Sequence, residues 1–240
     1  MVVNNTFIFF NNFAFWSVVF YIACIIGISL FFHEVNENLG HGVITNFFSG
    51  RYHTPKEEER IFMFLDMRSS TTHAEQMGHG RYFEMLQQYF AHLATPIINH
   101  SGDVYQYVGD EVVITWTLKA GLQNNACIKC FFALQETLNA HRDEYLSRFG
   151  VAPTFKAGLH AGTVTTGEIG VIKREIIFTG DVLNTTARIQ SLCNRYEVDI
   201  LLSVDLAKKL TPDEGFILKS LGEAELKGRG KRVELFSVSR

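Results

Sequence analysis

Two aspartates are placed where they could act together. Ile61 to Leu65 is an apolar, β-prone run that ends abruptly at Asp66. Asp110 stands in the Gly109-Asp110 tight turn between two further β-like runs, Val104 to Val108 and Val112 to Trp116. A strand end that met this hairpin tip would bring two carboxylates together, and they repel unless a cation lies between them. Hard oxygen donors without a neighbouring Cys or His favour Mg²⁺ or Mn²⁺, and Mg²⁺ binds through one or two carboxylates with substrate phosphates completing its shell. Taken singly, either aspartate would serve equally as a helix cap or a turn former.

The residues after Asp66 extend the phosphate theme. Met67, Arg68, Ser69, Ser70 and Thr71 lead into a helix whose free backbone N–H groups and positive dipole end attract anions, and Thr71 adds a hydroxyl. Farther on, Asn184 and Arg188 are four apart and share one face of a helix running from about Val182 to Cys193. Alone, that pair reads as a solvated helix face. Cys127-Ile128-Lys129-Cys130 matches a C-x-x-C pattern, but it lies among apolar helical residues without a second ligand pair and reads as packing.

The elements that must position these groups follow from periodicity. Phe83, Leu86, Phe90, Leu93 and Ile97 recur at helical spacing, a second helix covers roughly Leu122 to His141, and Thr154 to His160 reads as a strand. The order strand-helix-strand-strand-helix-strand predicts an α+β fold with a ferredoxin-like βαββαβ core, its helices on one face of an antiparallel sheet. In that topology the third strand lies antiparallel to the first, so Asp66 and Asp110 should face each other. A hairpin is expected from Gly162 to Ile169 and Lys173 to Thr179. A strand at Ile200 to Ser203, a short helix and a final strand pair around Lys227-Gly228-Arg229-Gly230-Lys231 complete the chain.

Residues Phe13 to Phe32 carry no charge, and twenty residues at about 1.5 Å each match a hydrocarbon core of roughly 30 Å. The expected layout is an N-terminal anchor at 1–32 with its transmembrane helix at about 13–32, a connector at 33–58, and a catalytic domain at 59–240. The first basic residues, Arg51, Lys56 and Arg60, follow the apolar run, which predicts an inner-membrane protein with its C-terminal domain in the cytoplasm. A net charge of −3, with no basic stripe, argues against nucleic acid as a partner. Cys127, Cys130 and Cys193 in helical segments suit a reducing compartment.

Taken in order, Phe64-Leu65-Asp66, Val108-Gly109-Asp110-Glu111 and Gly180-Asp181-Val182-Leu183-Asn184 with Arg188 resemble the signature of class III adenylate and guanylate cyclases. The resemblance runs from about Glu59 to Ser237. It implies that Asp66, Asp110 and the Met67 carbonyl hold two Mg²⁺ or Mn²⁺ ions per site, and that Asn184 and Arg188 orient the ribose and stabilise the transition state. Lys227 matches a lysine that binds the terminal phosphate. It further implies a homodimer with shared active sites, aspartates from one subunit meeting the Asn-Arg pair of the other, and a nucleoside triphosphate, ATP or GTP, as substrate.

The base-reading positions depart from the family pattern. Adenylate cyclases commonly carry Lys and Asp, and guanylate cyclases Glu and Cys, where this chain has Gln106 and Ile177. The Gln106 amide can serve adenine in one orientation and guanine in the other, while Ile177 offers no hydrogen bond. Gln106 lacks the fixed acceptor charge of the guanine-reading Glu, which favours ATP. The alternatives are a guanylate cyclase, a silent cyclase-like regulatory module, and a diguanylate cyclase, whose Gly-Asp-Glu hairpin is shared but whose double glycine is missing.

Overall fold

The computed structural model describes residues 13–39, 54–172, 174–212, 215–226 and 232–240. The chain divides into two units, Met1–Thr54 and Pro55–Arg240. In the first, α1 (Phe13–Leu39) is a single helix. Its stretch Phe13–Glu34, with a mean hydropathy of 2.3, is long and apolar enough to cross a membrane by length and composition.

The second unit is an eight-stranded mixed sheet with helices. Its first half comprises β1 (Lys56–Met67), α2 (Ser70–Met77), α3 (His79–Asn99), β2 (Asp103–Val108), β3 (Glu111–Thr117), α4 (Leu118–Leu122), α5 (Ala126–Ala140) and α6 (Arg142–Phe149). Its second half comprises β4 (Phe155–Ile169), β5 (Glu175–Thr179), α7 (Asp181–Ser191), β6 (Ile200–Ser203), α8 (Val204–Ala207), β7 (Ile217–Glu225) and β8 (Arg232–Ser239). The strand order is β2-β3-β1-β4-β6-β8-β7, with β5 paired to β4. The segment β2-β3-β1-β4 is all antiparallel and forms the expected ferredoxin-like core.

β1 reads as a continuous apolar run because both of its faces are covered. Ile61, Met63, Leu65 and Met67 join the main core with α3 and α5, while Phe62 and Phe64 join a second cluster with Val113, Val164 and Val182. The helices are therefore not confined to one face: α7 lies on the side of the sheet opposite α3 and α5. α3 itself is amphipathic as expected, yet its stripe is Met85, Leu86, Tyr89, Leu93 and Ile97, whereas Phe83 is exposed. Cys127 and Cys130 are both buried in α5, and burial pushes the Cys127 thiol up to about 12, an inert core cysteine.

Three expectations about the elements need correction. The helix expected over Leu122 to His141 is broken, because Asn124 and Asn125 take left-handed backbone angles before α5 begins. The break is held by Asn125, whose amide donates to the Thr211 carbonyl and whose carbonyl accepts the Thr211 N–H, both at 2.9 Å. The strand at Thr154 to His160 and the first arm of the following hairpin are one strand, β4, paired with β1 from Phe155 to Thr166. Gly162 is no turn: a Cβ there would meet Val182 Cγ2 at 2.7 Å, so the glycine admits α7. Finally, β1 begins at Lys56, so the acidic residues Glu57 to Glu59 belong to the sheet and not to a connector.

Gly158 makes the closer approach. A Cβ on it would lie 2.4 Å from the Gln190 backbone nitrogen, so the bare backbone of β4 is what lets the C-terminal end of α7 rest on the sheet. Backbone on both sides leaves nothing flexible to yield. Gly158→Ala should cost about 1–3 kcal/mol by overpacking, read as a lower urea midpoint at unchanged m-value. An unchanged midpoint would mean that α7 is free to slide on β4.

Candidate active site

Asp66 closes β1 at the point where the register pairs it with Glu111 on β3 and Lys156 on β4. Asp110 sits in the β2–β3 turn immediately before Glu111, with Gly109 taking the positive φ of 63° that the tight turn requires. The two aspartates are thus brought together by strand pairing. The Asp110 carboxyl is held above the usual carboxylate range by burial and by the charge of Asp66, against a hydrogen bond to Ser70 that favours ionisation. Glu111 is pushed up to about 7 by burial and by both aspartates, with Lys156 opposing. Burial and the Asp110 charge also raise the Tyr82 phenol.

Two side chains attend Asp66. Lys156 Nζ lies 3.2 Å from Asp66 Oδ2, and Gln190 Nε2 donates to the same oxygen at 3.0 Å. Asp110 is less fully satisfied: Ser70 serves its carboxyl, but its Oδ2 is buried with no hydrogen-bond partner. A crowded set of hard oxygen donors, one of them orphaned, suits a divalent cation, so the residues present fit the metal that the aspartate pair called for. Lys156 and Gln190 escaped the sequence reading because only the long-range register of β4 and the docking of α7 bring them to Asp66.

The turn between Asp66 and α2 is tightly fastened. The Arg68 backbone N–H donates to the Thr154 carbonyl at 2.8 Å. Its guanidinium binds Asn194, the Val198 carbonyl and Asp199, the last at 2.8 Å. The Arg68 side chain is thereby committed to the α7–β6 connection. Ser69 adopts a left-handed conformation, φ 56°, unusual for a residue other than glycine, and Ser70 and Thr71 open α2. The expected helix start is in place, its first N–H groups adjoining the Met67 end of β1.

Asn184 is exposed and Arg188 half-buried on α7. Gln190, which reaches Asp66, lies two residues beyond Arg188 and so about 200° round the helix from it. Arg188 instead lines a recess of about 310 Å³ with Ser191, Leu192, Arg195, Glu225 and Leu226. Neither aspartate lines it. Lys227 follows Leu226 directly but lies outside the described residues, as does the rest of its turn through Lys231. Arg195, in the turn that follows α7, is a second cation in this recess that the sequence reading passed over, because no helical spacing links it to Arg188.

Gln106 is exposed on β2 and Ile177 half-buried on β5, two strands that are not paired to each other. They are linked through their neighbours: the Tyr105 and Phe178 rings lie 4.9 Å apart, and the Phe178 N–H donates to the Tyr105 hydroxyl at 3.4 Å. One contact therefore ties together the neighbours of the two positions that were expected to read the base.

The crowding of carboxylates has a measurable cost. A raised pKa means that the folded state disfavours the ionised form, a penalty absent below the ordinary pKa and fully present above the raised one. At pH 8 in EDTA, Asp110→Asn should therefore raise the melting temperature of the protein, and the gain should shrink as the pH falls and be lost below the ordinary carboxylate pKa. The stabilisation that Mg²⁺ gives the unaltered protein should shrink at the same time. A lower melting temperature for the variant at pH 8 would show that Asp110 is not under this repulsion.

Comparison with known proteins agrees with this geometry. The adenylate and guanylate cyclase catalytic domain matches residues 53–239. Adenylate cyclase 2 of Rhizobium meliloti (strain 1021) is 38% identical over 223 residues, covering 93% of this chain and 61% of that protein. Adenylate cyclase 1 of the same organism is 26% identical over 202 residues, covering 82% of this chain and 30% of that one. The chain thus spans less than two thirds of the length of these relatives. Among solved structures, a bacterial light-regulated adenylyl cyclase superposes with a TM-score of 0.75 at 21% identity, covering 92% of this chain and 65% of that one. The guanylyl cyclase Cya2 superposes with a TM-score of 0.66 at 20% identity, covering 76% of this chain and 92% of the other. With its αβ sheet, its paired aspartates and a domain match over most of its length, this chain belongs to the class III adenylate and guanylate cyclase family.

Proposed function

We propose that the chain is an adenylate cyclase that forms 3′,5′-cyclic AMP and pyrophosphate from ATP at sites shared between two subunits. The observation that carries this reading is the division of the chemistry within one chain. Asp66 meets Gln190 on one side of α7, while Arg188, and Arg195 just beyond the helix, line a separate recess that neither aspartate lines. A cation-holding half and an anion-holding half that face apart in one subunit can meet across a two-fold axis.

Two Mg²⁺ or Mn²⁺ ions per site, held by Asp66, Asp110 and the Met67 carbonyl, would supply acidity toward the ribose 3′-hydroxyl and neutralise charge on the triphosphate. The chain's own residues do the rest. The opening turn of α2, from Ser69 to Thr71, offers backbone N–H groups to the phosphates. Asn184 orients the ribose, and Arg188 donates to the α-phosphoryl oxygens as negative charge builds there. Lys227 binds the terminal phosphate. Lys156 and Gln190 hold the Asp66 carboxylate in place, which limits reorganisation during the reaction.

The relatives named adenylate cyclase support ATP, as does the absence of a carboxylate at position 106. A guanylate reading retains one specific support, the Gln106 amide, which satisfies guanine after a flip. We further propose that residues 1–32 anchor the chain in the inner membrane, that a connector follows, and that the sheet unit from Lys56 onward is the cytoplasmic catalytic domain. The apolar stretch Phe13–Glu34 and the basic residues that follow it support this layout.

Full-length protein assayed with Mn²⁺ should convert ATP in preference to GTP, and no turnover of either would establish a silent module. Gln106→Glu should move the ATP:GTP ratio of kcat/KM toward GTP by about tenfold or more, since a carboxylate accepts from guanine N1–H but meets a lone pair at adenine N1. An unchanged ratio would remove position 106 from base reading. Asp66→Ala, Asp110→Ala and Arg188→Ala should each be nearly inactive alone. Co-expressed Asp110→Ala and Arg188→Ala chains should recover roughly a quarter of normal activity, because half of the dimers are mixed and each has one intact site. Inactive heterodimers would place the whole site within one subunit.

A further inference from the structure

We propose that His92 on α3, His141 at the end of α5 and Glu144 on α6 form a site for a transition-metal cation of the zinc type, built entirely from residues outside the nucleotide site. Each offers one donor atom, and the three lie within 4.8 Å of one another, the sole such grouping of three or more among the described residues. The imidazole rings stack with centroids 3.9 Å apart and an interplanar angle of 25°. Two imidazoles and a carboxylate are a borderline donor set, matched to Zn²⁺, Ni²⁺ or Cu²⁺ and not to Mg²⁺.

The hydrogen bonds select the ring nitrogens that would bind. His141 Nδ1 lies 2.9 Å from the Thr137 carbonyl, which can only accept, so Nδ1 carries the proton and Nε2 keeps its lone pair. His92 Nδ1 lies 2.9 Å from the Tyr145 hydroxyl, and in the tautomer where Nδ1–H donates to that oxygen, Nε2 keeps the lone pair for the cation. Glu144 Oε1 accepts from Gln88 Nε2 at 2.6 Å, leaving Oε2 for the cation. Each first ligand therefore already has the outer partner that orients metal-binding histidines and carboxylates.

Electrostatics favour a cation at the same place. His141 caps the C-terminus of α5, where the free carbonyls give the helix its negative end. Burial and the nearby His141 lower the pKa of His92, with Glu144 opposing, a direction that favours the unprotonated ring. Tetrahedral coordination needs donors about 3.3 Å apart with converging lone pairs, so one of the two stacked, half-buried rings turns and the exposed Glu144 draws in as the ion binds. Bound metal would fasten α3 to the α5–α6 junction and leave a fourth position for water.

Isothermal titration of tag-free full-length protein in detergent with Zn²⁺, in millimolar Mg²⁺ to cover the hard carboxylates, tests the site. One Zn²⁺ per chain is expected, with affinity falling at least about tenfold in His141→Ala and in Glu144→Gln and retained in Asp66→Ala. Zn²⁺ should also raise the melting temperature of the unaltered protein and of Asp66→Ala, but not of His141→Ala. His92→Gln is the harsher variant because it also breaks the Tyr145 contact; the exposed Glu144 keeps the test independent of its folding. Absence of Zn²⁺ binding, or binding that falls with Asp66→Ala and survives His141→Ala and Glu144→Gln, would overturn the proposal.

Discussion

The mutual repulsion of Asp66 and Asp110 is the constraint around which the catalytic unit is arranged. Two carboxylates in partly buried surroundings raise each other's energy, and a third, Glu111, is drawn into the same field and pushed up to about 7. Left to itself, such a cluster would splay. It stays together because the groups belong to a strand end and a hairpin whose backbone bonds are fixed by a large apolar core. Stability spent on an uncomfortable site is the usual sign that the discomfort is used, here to attract positive charge.

The rest of the unit supplies the scaffold that such a site demands. β1 is covered on both faces, by α3 and α5 on one and α7 on the other, so Asp66 emerges from the stiffest part of the sheet. Two glycines of β4, Gly158 and Gly162, let α7 approach closely enough for Gln190 to touch Asp66. The same helix turns Arg188 toward a different recess. One helix thus holds Asp66 from one face and turns Arg188 elsewhere, an arrangement that under the proposed function suits a symmetric assembly.

How much of this was legible in the sequence depended on the range of the interaction. Asp66 and Asp110 could be paired in advance because the βαββαβ order fixes which strands are neighbours, and a tight turn fixes where the hairpin tip falls. Lys156 could not, because its match to Asp66 needs the register of two strands about ninety residues apart, which no local pattern encodes. Gly162 was misread as a break for a related reason: a glycine that admits a helix and one that permits a turn are the same letter. Asn184 and Arg188 carried no local signal beyond helical spacing and were found through family resemblance. The α6 helix went unread because its eight residues are polar apart from Tyr145, Leu146 and Phe149, too few for a clear stripe.

Lys156 has a further consequence. Its ammonium group, 3.2 Å from Asp66, is a counter-ion attached to the polypeptide, so it can be neither diluted away nor chelated. A visiting divalent cation then competes with, or shares, an attraction that is already satisfied, so its affinity reflects a difference between two interactions and is tempered accordingly. Occupancy of the cluster becomes responsive to whatever arrives beside the ion, and a polyanion that brings its own cation has the advantage over the cation alone. Under the proposed function, the lysine makes the acidic site an exchangeable port and not a permanent metal store.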